Sequence, residues 1–140
     1  MKTLGIVIAI STTLMTAAFA RIGDDEKKIE AIYGKAAKVL HEQGSFKQIG
    51  YTAGAFAVVV DFINGISRRE GFAKPDTSML TQQEIEQILG ASTADGTTWK
   101  ESPASAGDKK WTRSDNKVVA VFPARQTFLI VQDVAYVQQQ

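Results

Sequence analysis

The chain has 140 residues, with 16 Lys or Arg against 15 Asp or Glu, 44% hydrophobic residues and no cysteine. This composition is typical of one compact domain, and it excludes a fibre, a disordered tail and a multidomain assembly. The net charge of +1 argues against nucleic acid as a partner, because proteins that bind DNA or RNA need a basic patch to displace counterions.

The first twenty residues have the pattern of a secretory signal peptide. Lys2 supplies a positive charge, residues 4–19 are mostly apolar, and Ala18 and Ala20 place small side chains at the −3 and −1 positions of a cleavage site. The pattern predicts cleavage after Ala20, and an uncleaved membrane anchor is the alternative. No Cys follows the apolar stretch, so a lipoprotein anchor is excluded.

Cleavage would leave a mature chain, residues 21–140, without a membrane span. Removal of Lys2 balances its acidic and basic residues, and without Cys the domain must be stabilised by apolar burial alone. We therefore expect a periplasmic or secreted bacterial protein with a single α+β domain.

A first amphipathic helix is predicted to begin near Asp24. Apolar residues from Ile29 to Leu40 recur at helical spacing. Gly34 interrupts this stripe, so the helix either ends there with glycine as its cap or continues to Gly44.

A β-hairpin is predicted next. Residues 55–62 alternate in side-chain character, and Asn64-Gly65 separates them from residues 66–72, a strong signal for a type I′ turn. Both faces of residues 55–60 are apolar, which predicts a central strand that is at least partly covered on each side. Residues 48–51 can add a strand, and the glycines of residues 50–54 indicate a turn or bulge.

A second helix is predicted from the capping box Thr81-Gln82-Gln83-Glu84, with Gly90 at its end. Residues 97–101, 109–114, 117–122 and 126–133 are then predicted as four strands.

The two halves of the chain resemble one another. Residues 29–34 (IEAIYG) align with residues 85–90 (IEQILG) at an offset of 56, and a β-meander follows each. This favours an internal duplication over chance similarity. The predicted fold is α+β: an antiparallel sheet with two helices packed on one face, built from similar helix-plus-meander halves at about residues 24–73 and 81–133.

Several segments carry a resemblance to a known family. IEAIYGK, GYTAGAFAVVVDFINGISRREGFAK, LTQQEIEQILG and WTRSDNKVVAVF resemble the tandem helix-plus-meander repeat of the beta-lactamase inhibitory protein. The same unit resembles that of small outer-membrane assembly lipoproteins of bacteria. The chain departs from both in having no Cys, which supplies disulfides in the first and the anchor in the second. The resemblance implies this fold over residues 29–133 and no particular target.

The sequence contains no recognisable catalytic motif. His41 is the single histidine and is predicted to lie at a helix end, and there is no phosphate loop or nucleophile elbow. Asp61 is expected to be an acid at the edge of the sheet, paired with Arg68 or Arg69, and Arg68-Arg69-Glu70 to form a solvated hairpin face. We expect no enzyme activity, catalytic residue, metal or cofactor; a small hydrolase using carboxylates is the weakest alternative.

A protein-binding surface is the preferred functional hypothesis. Trp, Tyr and Arg concentrate binding energy at interfaces, which makes Trp99, Trp111, Arg113 and Tyr51 the candidate site residues. The opposing interpretation is that both Trp residues complete the core. The sequence therefore predicts an exported, non-enzymatic protein-binding or inhibitor-like module of the bacterial envelope, whose partner is another envelope or secreted protein. The alternative is an envelope structural or assembly factor associated with outer-membrane proteins.

Overall fold

A computed structural model describes residues 22–94 and 96–139. The fold is α+β, with an eight-stranded antiparallel sheet in the order β1-β2-β3-β4-β8-β7-β6-β5. The predicted signal peptide, residues 1–20, lies outside the described residues. The elements are α1 (Glu26–Tyr33), β1 (Lys38–Gln43), β2 (Phe46–Ala53), β3 (Phe56–Ile63), β4 (Ile66–Ala73), α2 (Gln82–Ala91), β5 (Trp99–Ser102), β6 (Lys109–Arg113), β7 (Val118–Phe122), β8 (Phe128–Asp133) and α3 (Val134–Val137).

Helix α1 is short because Gly34 ends it. The Asp25 side chain accepts a hydrogen bond from the Lys28 amide at the start of the helix, and Gly34 adopts φ 86° at its end. Of the two predicted lengths, the shorter one is confirmed. The prediction that the stripe continues to Leu40 is wrong, because Leu40 and His41 lie in β1.

Strands β1 to β4 form a meander of antiparallel neighbours. The predicted Asn64-Gly65 turn is confirmed: both residues have positive φ, 50° and 77°, and they join β3 to β4. The glycine-containing segment before β3 differs from the prediction. Gly50 lies within β2, and of the two glycines only Gly54 lies in the turn between β2 and β3.

Helix α2 begins at the predicted capping box. The Glu84 amide donates to the Thr81 hydroxyl at 3.2 Å, and the Thr81 amide donates to Glu84 Oε2 at 2.8 Å. The helix runs through Gly90 to Ala91, and the Ser92 amide caps it by donating to the Ile88 and Leu89 carbonyls. Four strands follow as predicted.

The sheet is continuous because β4 pairs with β8, which joins the strands that follow α1 to those that follow α2. Apolar residues of α1 and α2 and of β2, β3, β4, β6, β7 and β8 form one buried cluster. Its fully buried members include Ile29, Val60, Phe62, Phe72, Ile88 and Leu129. Within the described part of the chain, no helix is long and apolar enough to cross a membrane.

Candidate functional site

The structure places the aromatic candidate residues in or against the core. Tyr51 is 3% exposed and its ring lies 5.7 Å from that of Tyr33. Trp111 is 7% exposed, and the partly buried Trp99 donates its indole N–H to the Leu89 carbonyl at 2.7 Å. Burial raises the pKa of the Tyr51 phenol to about 12. The exposed aromatic surface required by the sequence hypothesis is therefore not formed by these side chains.

Arg113 is also buried, at 6% exposure, and it makes structural contacts. Its guanidinium binds Asp115 through Nε at 3.0 Å and Nη2 at 2.8 Å, which holds the pKa of the Asp115 carboxyl below its usual value. Its Nη1 donates to the Ser92 carbonyl at 3.5 Å. Arg113 thus connects the β6–β7 turn to the end of α2.

The strand register separates two faces of the sheet, because directly opposed residues of neighbouring strands lie on the same face. The first face carries the buried cluster, and one of its rows runs through Val60, Glu70, Val131, Ala120 and Trp111. On the second face, two rows cross all eight strands and a shorter one lies beside them. The polar row is His41, Gln48, Asp61, Arg69, Gln132, Val119, Thr112 and Lys100; the apolar row is Lys38, Gly50, Val59, Gly71, Ile130, Val121, Lys110 and Ser102; and the short row is Thr52, Ala57, Ala73 and Phe128.

A trough of about 320 Å³ lies on this second face. This volume is at the lower end of the range for small-ligand sites, roughly 300–1,000 Å³. The depression forms because the side chains in the centre of the sheet are small, and larger apolar side chains of β8 border it. Its lining residues are Gln48, Ala57, Val59, Asp61, Arg69, Gly71, Ala73, Phe128 and Ile130.

The polar end of the trough is built around Asp61, which is 4% exposed. Its Oδ1 accepts a hydrogen bond from Gln48 Nε2 at 2.8 Å, and its Oδ2 lies 3.5 Å from the Tyr136 hydroxyl and 4.0 Å from Arg69 Nη1. The predicted pairing across the hairpin is therefore confirmed for Arg69. Arg68 instead pairs with Asp133 at 2.8 Å. The expected position at the sheet edge is wrong, because β3 is the third strand of eight.

A second depression, of about 300 Å³, lies on the same face and is lined in part by Lys110, Val119, Val121 and Gln132. Ile130 and Val121 are direct partners in the apolar row, so the two depressions adjoin along it. Val137 of α3 also borders the second depression. Together they make an extended, largely apolar surface.

Glu70 lies on the other side of the sheet, in the core, so the expectation of a solvated hairpin face is wrong for this residue. Its Oε2 accepts a hydrogen bond from the Tyr33 hydroxyl at 3.4 Å, and its Oε1 has no hydrogen-bond partner among the described residues. Complete burial raises the pKa of the Glu70 carboxyl to about 8. It lies outside the trough on the opposite face.

Residues 22–94 and 96–139 contain no group of three or more His, Asp or Glu side chains able to hold a metal ion. The Asp61 carboxylate already has three partners, Gln48, Tyr136 and Arg69. The trough was not predicted from the sequence. The apolar residues on both faces of β3 were interpreted as a sign that both faces are covered, whereas the second face is covered less fully and forms the trough.

Comparisons with known proteins do not assign the chain to a family. No protein-family model matches it, and no curated protein matches it. It is similar to the crystal structure of an extracellular protein containing a SCP domain from Bacillus anthracis str. Ames, at 12% identity and a TM-score of 0.49, over 100% of this chain and 52% of that chain. The chain thus spans about half the length of that protein, and a similarity of this size identifies no activity.

Proposed function

We propose that this chain is an exported, non-enzymatic protein-binding module, inhibitor-like in its mode of action, and that the second face of its sheet is the binding surface. The observation that carries this proposal is the apolar trough around Val59 and Ile130. Binding sites on proteins are commonly concave, mostly apolar depressions with a few polar groups, and the trough has this form.

The rim of the trough supports this use. Interfaces combine an apolar centre with polar groups that fix orientation. Here the centre is formed by small and branched side chains of β3, β4 and β8, and the polar row beside it presents Gln48, Arg69 and Gln132. The site takes up a partner's apolar side chains and orients them through these polar groups.

The proposed architecture has two similar halves with both long helices on the first face. Three observations support it. Each long helix precedes four strands, and the strand order is symmetric about the β4–β8 junction. Tyr33 of α1 contacts Glu70, and Ser92 at the end of α2 contacts Arg113, both on first-face strand positions. This arrangement is the one that the resemblance to the beta-lactamase inhibitory protein implies. It leaves the second face to the partner, apart from the border where Tyr136 and Val137 of α3 lie.

Site-specific photo-crosslinking tests the proposal. A photoreactive amino acid replaces Val59 in the trough, and a control places it at Glu86, an exposed position on α2. The purified chain is irradiated in cell-envelope extract of the source organism, and adducts are identified by mass spectrometry. We expect a discrete protein adduct from position 59 and none from position 86.

The identity of the adduct distinguishes the functional alternatives. A single secreted or periplasmic enzyme would support the inhibitor-like module. A membrane-protein complex would select the assembly factor instead. Absence of any adduct specific to position 59 would contradict the proposed binding face.

A further inference from the structure

We infer that the partner of the second face is a polypeptide segment with an apolar centre and carboxylate groups on both sides of it. This inference rests on the proposed function and adds the chemistry that the site recognises. Its basis is the uneven distribution of charge over the second face.

The strand positions of the second face carry more cations than anions. Lys38, Arg69, Lys100 and Lys110 lie on its two long rows, on which Asp61 is the one acidic residue. Asp108, which accepts a hydrogen bond from the Ala124 amide at 2.7 Å, also borders the second depression, so the face still carries four cations against two anions. Asp61 is buried, so it contributes little to the exposed charge. The chain as a whole has a net charge of only +1, so this face is more positive than composition indicates. A positive, partly apolar face favours a negative, partly apolar partner.

The cations of this face are available to a ligand. Lys38, Lys100 and Lys110 form no ion pair with any described residue, and the distance of 4.0 Å from Arg69 to Asp61 leaves most of the five guanidinium donors free. The contrast is with cations elsewhere: Lys47 binds Glu26 and Lys74 binds Glu84, both at 2.9 Å. A guanidinium with free donors at the edge of an apolar trough is a good partner for a carboxylate.

The spacing of the cations sets the form of the partner segment. In the apolar row, Lys38 and Lys110 flank Gly50, Val59, Gly71, Ile130 and Val121. Neighbouring strands are about 4.8 Å apart, so the two lysine backbones are roughly 29 Å apart, the length of about nine extended residues. A peptide crossing the strands would place its centre on the apolar positions and its ends near the lysines. Arg69 lies beside the centre, in the neighbouring row.

A pair of synthetic nonapeptides tests the inference with the purified chain. Both have the same central Val, Leu and Phe residues; one carries Glu at each end and the other Lys. Both carry a fluorescent label, and binding is followed by anisotropy at low and at high salt. We expect the glutamate peptide to bind at least about tenfold more tightly than the lysine peptide, and this ratio to fall at high salt.

Variants locate the effect on the second face. Lys110→Gln and Arg69→Gln should each weaken the glutamate peptide severalfold, whereas Lys109→Gln should not, because Lys109 occupies the adjacent first-face position opposite Phe122. Lys110→Gln removes no ion pair with a described residue, so a change in its binding is not explained by altered folding. Arg69→Gln removes the cation near the Asp61 carboxylate and can alter folding; in that case Lys110→Gln decides the test.

Several outcomes would overturn the inference. Equal affinity for both peptides, no binding of either, or equal losses from Lys109→Gln and Lys110→Gln would each contradict it. Tighter binding of anionic vesicles or duplex DNA than of the glutamate peptide would replace it with a different class of ligand. A protein adduct at position 59 without any preference for glutamate would leave the proposed function intact while this inference fails.

Discussion

The hydroxyl of Tyr33 lies 3.4 Å from Oε2 of Glu70 and connects α1 to a fully buried carboxyl group. Burial, opposed in part by this hydrogen bond, raises the pKa of Glu70 from 4.5 to about 8, and the nearby Asp24 carboxylate acts in the same direction as burial. Between these two values the folded chain retains a proton that the unfolded chain releases. The contribution of Glu70 to stability is therefore complete below pH 4.5 and is lost as the pH rises to about 8.

We expect Glu70→Gln to flatten this pH dependence. The amide keeps the shape of the side chain and cannot ionise, so the wild type should lose a few kcal/mol relative to the variant as the pH rises from 5 to 9. Urea unfolding at a series of pH values measures the difference. Glu101→Gln, at an exposed position of β5, is the control and should follow the wild type. Parallel curves for wild type and Glu70→Gln would show that Glu70 is ionised in the folded chain.

Filling the trough should abolish partner binding without unfolding the domain. At Gly71 an added Cβ would meet only the Val59 carbonyl, at 4.0 Å, and the backbone does not have positive φ. Gly71→Val should therefore leave stability unchanged or raise it by up to about 1 kcal/mol, since a branched side chain suits a strand better than glycine does. Crosslinking from position 59 should be lost.

The matched control is Gly65→Val, where φ is +77° in the β3–β4 turn. This variant should lose about 1 kcal/mol or more of stability, because a branched side chain is strained there, and should retain binding while it is folded. Retained crosslinking in a folded Gly71→Val variant would show that the partner does not enter the trough.

Loss of the capping box should destabilise the domain locally. Thr81→Ala removes the hydroxyl that accepts from the Glu84 amide at 3.2 Å, so we expect a loss of about 1 kcal/mol by chemical denaturation. Ser78→Ala removes only an exposed hydrogen bond of 2.6 Å to Asp76 Oδ1 in the loop before the helix and should cost less. Equal losses would mean that the capping hydroxyl of Thr81 stabilises the domain no more than this exposed loop bond does.

Local signals in the sequence predicted the local structure. Asn64-Gly65 adopts the positive φ angles of the turn, and the Thr81 hydroxyl accepts a hydrogen bond from a free backbone amide at the start of α2. Few other residues can do either, and both predictions are confirmed. The apolar spacing from Ala36 to Leu40 continues the helical period, and the prediction that it extends the helix is wrong. Gly34 ends the helix, Ala36 lies before β1, and Leu40 lies in β1, an exposed edge strand. Helix α3 was not predicted, and its four residues are too few for a periodic signal.

The candidate site was only partly predictable from the sequence. The Asp61–Arg69 pair follows from hairpin register and is local. The trough depends on pairing between β4 and β8, which are more than fifty residues apart and whose register no local pattern sets. Interface propensity pointed to Trp111 and Tyr51, but large aromatic side chains also supply the apolar area that a core without disulfides needs.

The two tryptophans provide a test of that explanation. Trp111 is largely buried and packs within the main cluster, so Trp111→Ala should cost about 3–5 kcal/mol of unfolding free energy. Trp99→Phe should cost about 1 kcal/mol, because it loses only the 2.7 Å hydrogen bond to the Leu89 carbonyl and some packing area. Denaturant unfolding measures both losses, and crosslinking from position 59 should persist in the folded fraction of each variant. A Trp111→Ala chain that keeps wild-type stability but loses the crosslink would return Trp111 to the binding surface and contradict its assignment to the core.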